Sequence, residues 1–262
     1  MEEKKFKLVS SKKTRYLLPN ILTIAGVCLG ISSIKFAIDG NFNLAVKLIL
    51  FAAILDALDG RIARLIKGTS EFGKELDSLT DFVSFGIAPV FILYFWELNG
   101  YGKLGWAITL IYSVCCVLRL ARFNLTKINE TENWKNNFFE GVPSPAGGLL
   151  ILMPLIYELT NLNFKVSIIQ FTPYLTVLIA ILLVSKIPTL ALKKISISPK
   201  ATVFLLLGIG IVFIALLFYT FVTLLVFGIC YLISIPVSFL IYNNQSKKNI
   251  EKISDESHED IL

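Results

Sequence analysis

Long apolar runs alternate with short polar stretches along most of the chain. Each run is near the roughly 20 residues that an α-helix needs to cross a bilayer. The pattern predicts eight such helices, over residues 17–38, 43–66, 72–98, 103–123, 143–160, 168–186, 201–218 and 221–242. Little polar sequence separates the last two, and we divide them because one helix over both would be about twice the bilayer span.

The composition supports a membrane protein, because 55% of the 262 residues are hydrophobic and the mean hydropathy is +0.71. These values exclude an ordinary soluble domain. We therefore expect an all-α, polytopic membrane helix bundle in three parts. They are a basic N-terminal tail over 1–16, a transmembrane domain over 17–243 and a polar C-terminal tail over 244–262.

Positive charge falls in alternate loops, which predicts an orientation. The basic residues of three alternate loops are Arg61, Arg64, Lys67; Arg122, Lys127, Lys135; and Lys186, Lys193, Lys194, Lys200. The intervening loops carry little positive charge, so the positive-inside rule places both termini in the cytoplasm. The net charge of +6 favours membrane lipids over nucleic acid as partners. We expect a multi-pass protein of the cell membrane.

Four aspartates stand at the cytoplasmic ends of the second and third predicted helices. Asp56 and Asp59 are three residues apart, and Asp77 and Asp81 are four apart, so each pair shares one helix face. Four carboxylates facing one gap repel each other, and either protons or a cation must neutralise them. Oxygen ligands of this kind suit Mg²⁺ or Mn²⁺, and two such ions can clamp a phosphoryl group.

Small residues lie beside these acids, at Gly60, Ala63 and Gly73. They leave room for a ligand or another backbone to come close. Two other interpretations stay open at this point. The acids could be structural partners of Arg61 or Arg64, or they could line the ion pathway of a cation transporter. Their clustering at one membrane face disfavours the transporter.

The stretch from Asp56 to Asp81 reads D-x-x-D-G-x-x-A-R, eight residues, then G-x-x-x-D-x-x-x-D. It resembles the signature of the CDP-alcohol phosphatidyltransferase family. The resemblance implies an integral-membrane enzyme, usually a homodimer, that moves a phosphatidyl group from a CDP-linked lipid to an alcohol and releases CMP. It also implies residue roles. Divalent metal would bind Asp56, Asp59, Asp77 and Asp81, with Asp81 also the catalytic base, and the CDP site would be Gly60, Ala63, Arg64 and Gly73.

Further segments are similar to the phosphatidylserine synthase branch of this family. They are residues 77–89, 119–124, 139–146 and 183–188, with 18–23 near the N-terminus. This similarity implies CDP-diacylglycerol as the donor and L-serine as the acceptor. Glycerol 3-phosphate or inositol phosphate as the acceptor, and an archaeal ether lipid in the donor, stay open.

An amino-acid acceptor carries a carboxylate that needs a cation. Arg119 and Arg122 are three residues apart on one face of the fourth predicted helix, and arginine can bind a carboxylate through two hydrogen bonds. Lys186 is a further candidate for serine binding. All three could instead be basic residues that only set the membrane topology.

Overall fold

The computed structural model describes residues 12–66, 68, 70–126, 138–160, 169–190 and 199–259. Ten α-helices make up most of the described chain. They are α1 (Lys12–Ile38), α2 (Phe42–Leu65), α3 (Glu71–Asp81), α4 (Ala88–Trp96), α5 (Lys103–Thr126), α6 (Ser144–Ile151), α7 (Met153–Leu159), α8 (Thr172–Val184), α9 (Pro199–Phe218) and α10 (Thr220–Glu259). A π-helical segment, Phe82–Ile87, joins α3 to α4, and 3-10 turns cover Leu98–Tyr101 and Ile169–Phe171.

The prediction of a helical, multi-pass membrane protein is confirmed. In the described part of the chain, four helical stretches are long and apolar enough to cross a bilayer: Leu17–Ile38, Glu71–Trp96, Lys103–Leu125 and Thr220–Asn243. Shorter apolar helices cover Ile169–Val184 and Phe204–Phe218. Eight crossings and cytoplasmic termini stay predictions.

The helix ends differ from the predicted boundaries at both tails. The first helix begins at Lys12, inside the predicted tail, and α10 continues to Glu259 through most of the other tail. Lysine and glutamate are good helix formers, so a helix can continue past the apolar run. The predicted loop residues Lys67, Lys127, Lys135, Lys193 and Lys194 lie outside the described residues.

The predicted division between the last two helices falls at Tyr219, where α9 gives way to α10. Helical hydrogen bonds continue on both sides of this residue. The Tyr219 amide donates to the Ala215 carbonyl at 2.7 Å, and the Thr223 amide donates to the Tyr219 carbonyl at 2.9 Å. The junction is therefore a bend in the helical backbone with no intervening loop.

A short antiparallel strand pair accompanies the helices of the predicted all-α bundle. Strand β1 (Phe138–Glu140) pairs with β2 (Pro188–Leu190), with Phe139 opposite Thr189. Three residues are too few to show the apolar–polar alternation by which a strand is recognised in a sequence. The pair joins the segment before α6 to the segment after α8, and β2 packs against α10.

Two small residues on α1 allow it to approach the π-helical segment after α3 closely. Gly26 and Gly30 lie four residues apart and so on one face of the helix. The Ser84 hydroxyl donates to the Gly26 carbonyl at 3.2 Å. A Cβ atom at Gly30 would lie only 2.8 Å from the Ser84 Oγ. This small-residue contact sets α1 against the π-helical segment.

The π-helical segment interrupts what the sequence predicts as one helix over 72–98. Its carbonyl groups are hydrogen-bonded by side chains of α5. The Tyr112 hydroxyl donates to the Phe85 carbonyl at 3.0 Å, and the Ser113 hydroxyl donates to the Gly86 carbonyl at 3.4 Å. Such segments occur frequently at functional sites, and this one begins directly after Asp81.

The predicted fifth helix over 143–160 is also divided, into α6 and α7, at Leu152. Pro154 accounts for the break, because proline has no amide hydrogen to donate to the carbonyl four residues earlier. The division leaves α6 as a short helix that begins at Ser144.

Candidate active site

Three aspartates converge where α2 and α3 come together. One carboxylate oxygen from each of Asp56, Asp59 and Asp77 lies within 4.8 Å of the other two. Asp59 is buried, Asp56 is half-buried and Asp77 is exposed, so the group lies at the boundary of the packed interior. The helix spacing places Asp56 and Asp59 on one face, as the sequence predicted.

The fourth aspartate, Asp81, is the last residue of α3. Its carboxyl group lies within hydrogen-bonding reach of the Asp56 carboxyl group. The Asp81 Oδ1 atom is buried, and no group in the described part of the chain donates a hydrogen bond to it. Two carboxyl groups in direct contact require either a shared proton or a cation. The structure thus brings all four predicted acids into one region, three of them within the tighter group.

A threonine from α1 holds one of these carboxylates. The Thr23 hydroxyl lies 2.6 Å from Asp59 Oδ2 and 3.0 Å from the Pro19 carbonyl of its own helix. Thr23 is buried, and no role is assigned to it from the sequence. The sequence feature that could have indicated this role is a polar residue inside an apolar helix. Thr23 lies three positions after Asn20 and therefore on the same helix face.

An open cleft of about 120 Å³ adjoins the aspartates. It is lined by parts of α1 and α2 and by the segment that leads into α3: Pro19, Asn20, Thr23, Asp59, Gly60, Ala63, Gly68, Ser70, Gly73, Lys74 and Asp77. The cleft therefore contains Gly60, Ala63 and Gly73, the three small residues of the predicted CDP site.

The two glycines have different surroundings. A Cβ atom at Gly60 would have no described residue within 4 Å, so Gly60 faces open space in this part of the structure. A Cβ atom at Gly73 would lie 3.1 Å from Ser70 Oγ and 3.2 Å from Asn20 Oδ1. Ser70 also caps α3 by accepting a hydrogen bond from the Gly73 amide at 3.0 Å. Gly73 is thus needed for packing, whereas Gly60 leaves space for a ligand.

Two cations lie near this cleft. Arg64 is exposed, and its Nε donates to the Gly60 carbonyl at 3.0 Å. Arg64 is not among the described residues that line the cleft. Lys74 does line it, and its ammonium group pairs with Glu71 one turn earlier. The sequence predictions miss Lys74 because a lysine at the polar end of a helix is common.

The three cations predicted to bind serine have different surroundings. Arg119 Nη1 donates to the Ser144 hydroxyl, which in turn donates to Asp81 Oδ2 at 2.9 Å. Arg122 Nη1 donates to the Val184 carbonyl at 2.6 Å and so joins α5 to the end of α8. Lys186 is exposed between α8 and β2. Arg119 is thus connected to Asp81 through the Ser144 hydroxyl.

The donor set fits a hard divalent cation. All of its atoms are carboxylate oxygens, which Mg²⁺ and Mn²⁺ prefer. Among the described residues, none donates a hydrogen bond to Asp81 Oδ1. The contact between Asp56 and Asp81 brings two acidic groups together, and a cation would compensate their negative charge. Arg119 lies within electrostatic range of Asp81 but is partly engaged by Ser144.

Comparison with known proteins gives a family match. The family model of CDP-alcohol phosphatidyltransferases matches residues 16–184. A CDP-diacylglycerol–serine O-phosphatidyltransferase of Mycobacterium bovis is 35% identical over 221 residues, 84% of this chain and 77% of that protein. One of Helicobacter pylori is 34% identical over 203 residues, 76% of this chain and 82% of that protein. An archaetidylserine synthase of Methanothermobacter thermautotrophicus is 32% identical over 175 residues, 65% of this chain and 68% of that protein.

Proposed function

Because the chain belongs to the CDP-alcohol phosphatidyltransferase family, we propose that it transfers a phosphatidyl group from CDP-diacylglycerol to the hydroxyl of L-serine and releases CMP. The observation that carries the proposal is the convergence of Asp56, Asp59 and Asp77 beside an open cleft. The choice of serine rests on the names of the similar proteins from Mycobacterium bovis and Helicobacter pylori.

The cleft is the proposed site for the CDP group of the donor. Gly60 presents no side chain to it, so the phosphates can approach the α2 backbone. Lys74 supplies a cation in the cleft lining, and Arg64 supplies another near its edge. Binding the two phosphates there places them beside the aspartates, as positioning for attack requires.

Asp56, Asp59 and Asp77 are the proposed metal ligands, with Asp81 completing the set for two ions of Mg²⁺ or Mn²⁺. A divalent cation held by these residues would supply the positive charge that neutralises the pyrophosphate and makes CMP a better leaving group. Thr23 orients Asp59 for this task through its hydrogen bond to Oδ2. These roles agree with the all-oxygen donor set and with the uncompensated Asp81 Oδ1.

Asp81 is the proposed base for the acceptor. Its Oδ1 takes the proton of the serine hydroxyl as the serine oxygen forms a bond to the phosphorus that carries the diacylglycerol. The bond from that phosphorus to the CMP oxygen breaks at the same centre. A carboxylate base is useful because an alcohol is a weak nucleophile at neutral pH.

The serine carboxylate is proposed to meet Arg119, Arg122 or Lys186. Arg119 has the strongest support, because its hydrogen bond to Ser144 places it one side chain away from Asp81. We further propose that the enzyme is a homodimer of the cell membrane with its active site near the cytoplasmic face, which agrees with the charge of the loops.

An acceptor screen tests the proposed function. Purified protein in detergent is given CDP-diacylglycerol and Mg²⁺ or Mn²⁺, and CMP release is measured with L-serine, glycerol 3-phosphate or inositol phosphate. We expect release with L-serine and little with the phosphorylated acceptors. Higher activity with glycerol 3-phosphate would refute serine as the acceptor, but the proposed phosphatidyl transfer would stand. Cation flux into liposomes without any CDP-lipid would favour the transporter.

An ether-linked donor is the second candidate, supported by the similarity to an archaetidylserine synthase. That similarity covers 65% of this chain, against 84% for the mycobacterial protein. The two donors share the CDP group and differ only in their tails. Parallel assays with CDP-diacylglycerol and its ether-linked analogue, at equal surface concentration, distinguish them by kcat/KM.

A further inference from the structure

A buried hydrogen-bonded chain joins α5, α6 and α3. It runs from Arg119 Nη1 to the Ser144 hydroxyl and from that hydroxyl to Asp81 Oδ2 at 2.9 Å. Ser144 is fully buried, at 0% exposure. It is the first residue of α6 and stands between Pro143 and Pro145. Proline is well tolerated at the start of a helix, where its missing amide hydrogen costs nothing.

The direction of these hydrogen bonds is fixed by the groups involved. A guanidinium group can only donate, and an ionised carboxylate can only accept, whereas a hydroxyl has one proton and two lone pairs. When Asp81 is ionised, as a base must be, Ser144 accepts from Arg119 and points its proton at Asp81. With Oδ2 engaged in this way, the buried Oδ1 of Asp81 is the oxygen that has no hydrogen-bond donor among the described residues.

The backbone beside Asp81 is held from the same side. The α5 residues Tyr112 and Ser113 hydrogen-bond the π-helical segment that follows Asp81. Tyr112 and Arg119 are seven residues apart and share a helix face. The α5 helix thus holds the π-helical segment after Asp81 through Tyr112, and it holds the Asp81 side chain through Arg119 and Ser144.

We propose that Ser144 is a positioning residue that orients the Asp81 carboxylate, so that Oδ1 and not Oδ2 faces the acceptor hydroxyl. Arg119 holds Ser144 in the required rotamer. The inference rests on the proposed function, since it concerns the group that takes the proton of the acceptor. It gives a task to the Pro143–Ser144–Pro145 segment, whose serine has no other part in the reaction.

The test compares Ser144→Ala and Ser144→Thr with wild type, using CMP release from CDP-diacylglycerol and L-serine. A hydrogen bond to a charged group corresponds to a change of roughly 10- to 100-fold, and we expect kcat of Ser144→Ala to fall by about that factor. The threonine variant keeps the hydroxyl and should recover much of the loss. The dissociation constant for CDP-diacylglycerol should stay at its wild-type value.

The matched control is Ser238→Ala. Ser238 is also fully buried, but its hydroxyl donates to the Ser234 carbonyl within α10. Its kcat should equal that of wild type. A double-mutant cycle with Arg119→Lys adds a second readout. If Arg119 acts through Ser144, the effects of the two substitutions on kcat are less than additive.

The proposal is overturned if Ser144→Ala keeps kcat within about twofold of wild type, since a lost contact to a charged group costs more than that. It is also overturned if kcat, lipid binding and unfolding temperature fall together, because that result indicates a purely structural role. If Ser144→Ala cannot be purified, Ser144→Cys preserves the volume and takes its place in the same comparison.

Wild-type protein that uses another acceptor refutes the serine assignment alone, and the variants are then compared with that acceptor. Wild-type protein that releases no CMP with any acceptor refutes both proposals.

Discussion

The Thr23 hydroxyl lies 2.6 Å from Asp59 Oδ2, so α1 holds a carboxylate of α2 in place. Both side chains are buried. Asp59 contributes to the group of three carboxylate oxygens, and a shift in its rotamer would open that group. Residues that orient a metal ligand in this way typically affect metal affinity even though they do not touch the ion.

Thr23→Val keeps the shape of the side chain and removes its hydroxyl. We expect the Mn²⁺ concentration for half-maximal activity to rise by about 10- to 100-fold, the usual effect of losing a residue that supports a metal ligand. CMP release across a Mn²⁺ titration measures it. Thr23→Ser should behave like wild type. Thr109→Val is the control, since that buried hydroxyl donates to the Gly105 carbonyl in its own helix. An unchanged Mn²⁺ requirement in Thr23→Val would show that Asp59 needs no such support.

Metal removal should abolish activity. We expect EDTA to stop CMP release, and Asp56→Asn, Asp59→Asn or Asp77→Asn each to lower kcat/KM by at least about 100-fold, because metal supplies several kcal/mol of charge stabilisation. Mn²⁺ binding to the variants, followed by electron paramagnetic resonance, should weaken in parallel. Asp39→Asn is the control, since Asp39 pairs with Lys35 in an exposed turn. Full turnover in chelator would exclude the metal.

A methyl group at Gly60 should interfere with the donor. The position faces open space in the cleft, so Gly60→Ala can fold without a clash. We expect KM for CDP-diacylglycerol to rise by roughly 5- to 150-fold, from about 1–3 kcal/mol of steric cost. Gly208→Ala is the matched control, because it is also a helix glycine with open space around it. Equal KM values for the two variants would place the CDP group elsewhere.

Cysteine labelling tests the eight crossings. The native Cys28, Cys115, Cys116 and Cys230 are first replaced by alanine. In whole cells, a membrane-impermeant maleimide should label single cysteines at Asn41, Gln170 and Tyr219 from outside. It should label one at Glu71 only after the membrane is permeabilised. Labelling at Tyr219 tests the number of membrane crossings, because Tyr219 lies at the bend between α9 and α10. If Tyr219 is protected in intact cells, α9 and α10 do not cross separately.

Helix periodicity is enough to predict that the aspartates of each pair share a helix face. Asp56 with Asp59, and Asp77 with Asp81, share faces whatever the rest of the chain does, and the structure brings the two pairs together. Gly60 and Gly73 also line the cleft as expected. These features depend on spacing within single helices, which a sequence displays directly.

The supporting hydroxyls could not be predicted in the same way. Thr23 contacts Asp59 across 36 residues of sequence, and Ser144 contacts Asp81 across 63. Such pairs depend on how helices pack, and no local pattern encodes that arrangement. The π-helical segment Phe82–Ile87 is hidden for a related reason, because its carbonyls are satisfied by hydroxyls of α5.

The two ends of α3 face different neighbours. Asp77 faces the cleft formed with α1 and α2, whereas Asp81 is held from α5 and α6. Under the proposed function, this separates the part of the chain that binds the nucleotide-linked donor from the part that meets the incoming alcohol. Head-group preference can therefore diverge through substitutions in α5 and α6 while residues 19–77 remain unchanged. An effort to redirect the enzyme to a new alcohol would begin with the side chains around Arg119 and Ser144.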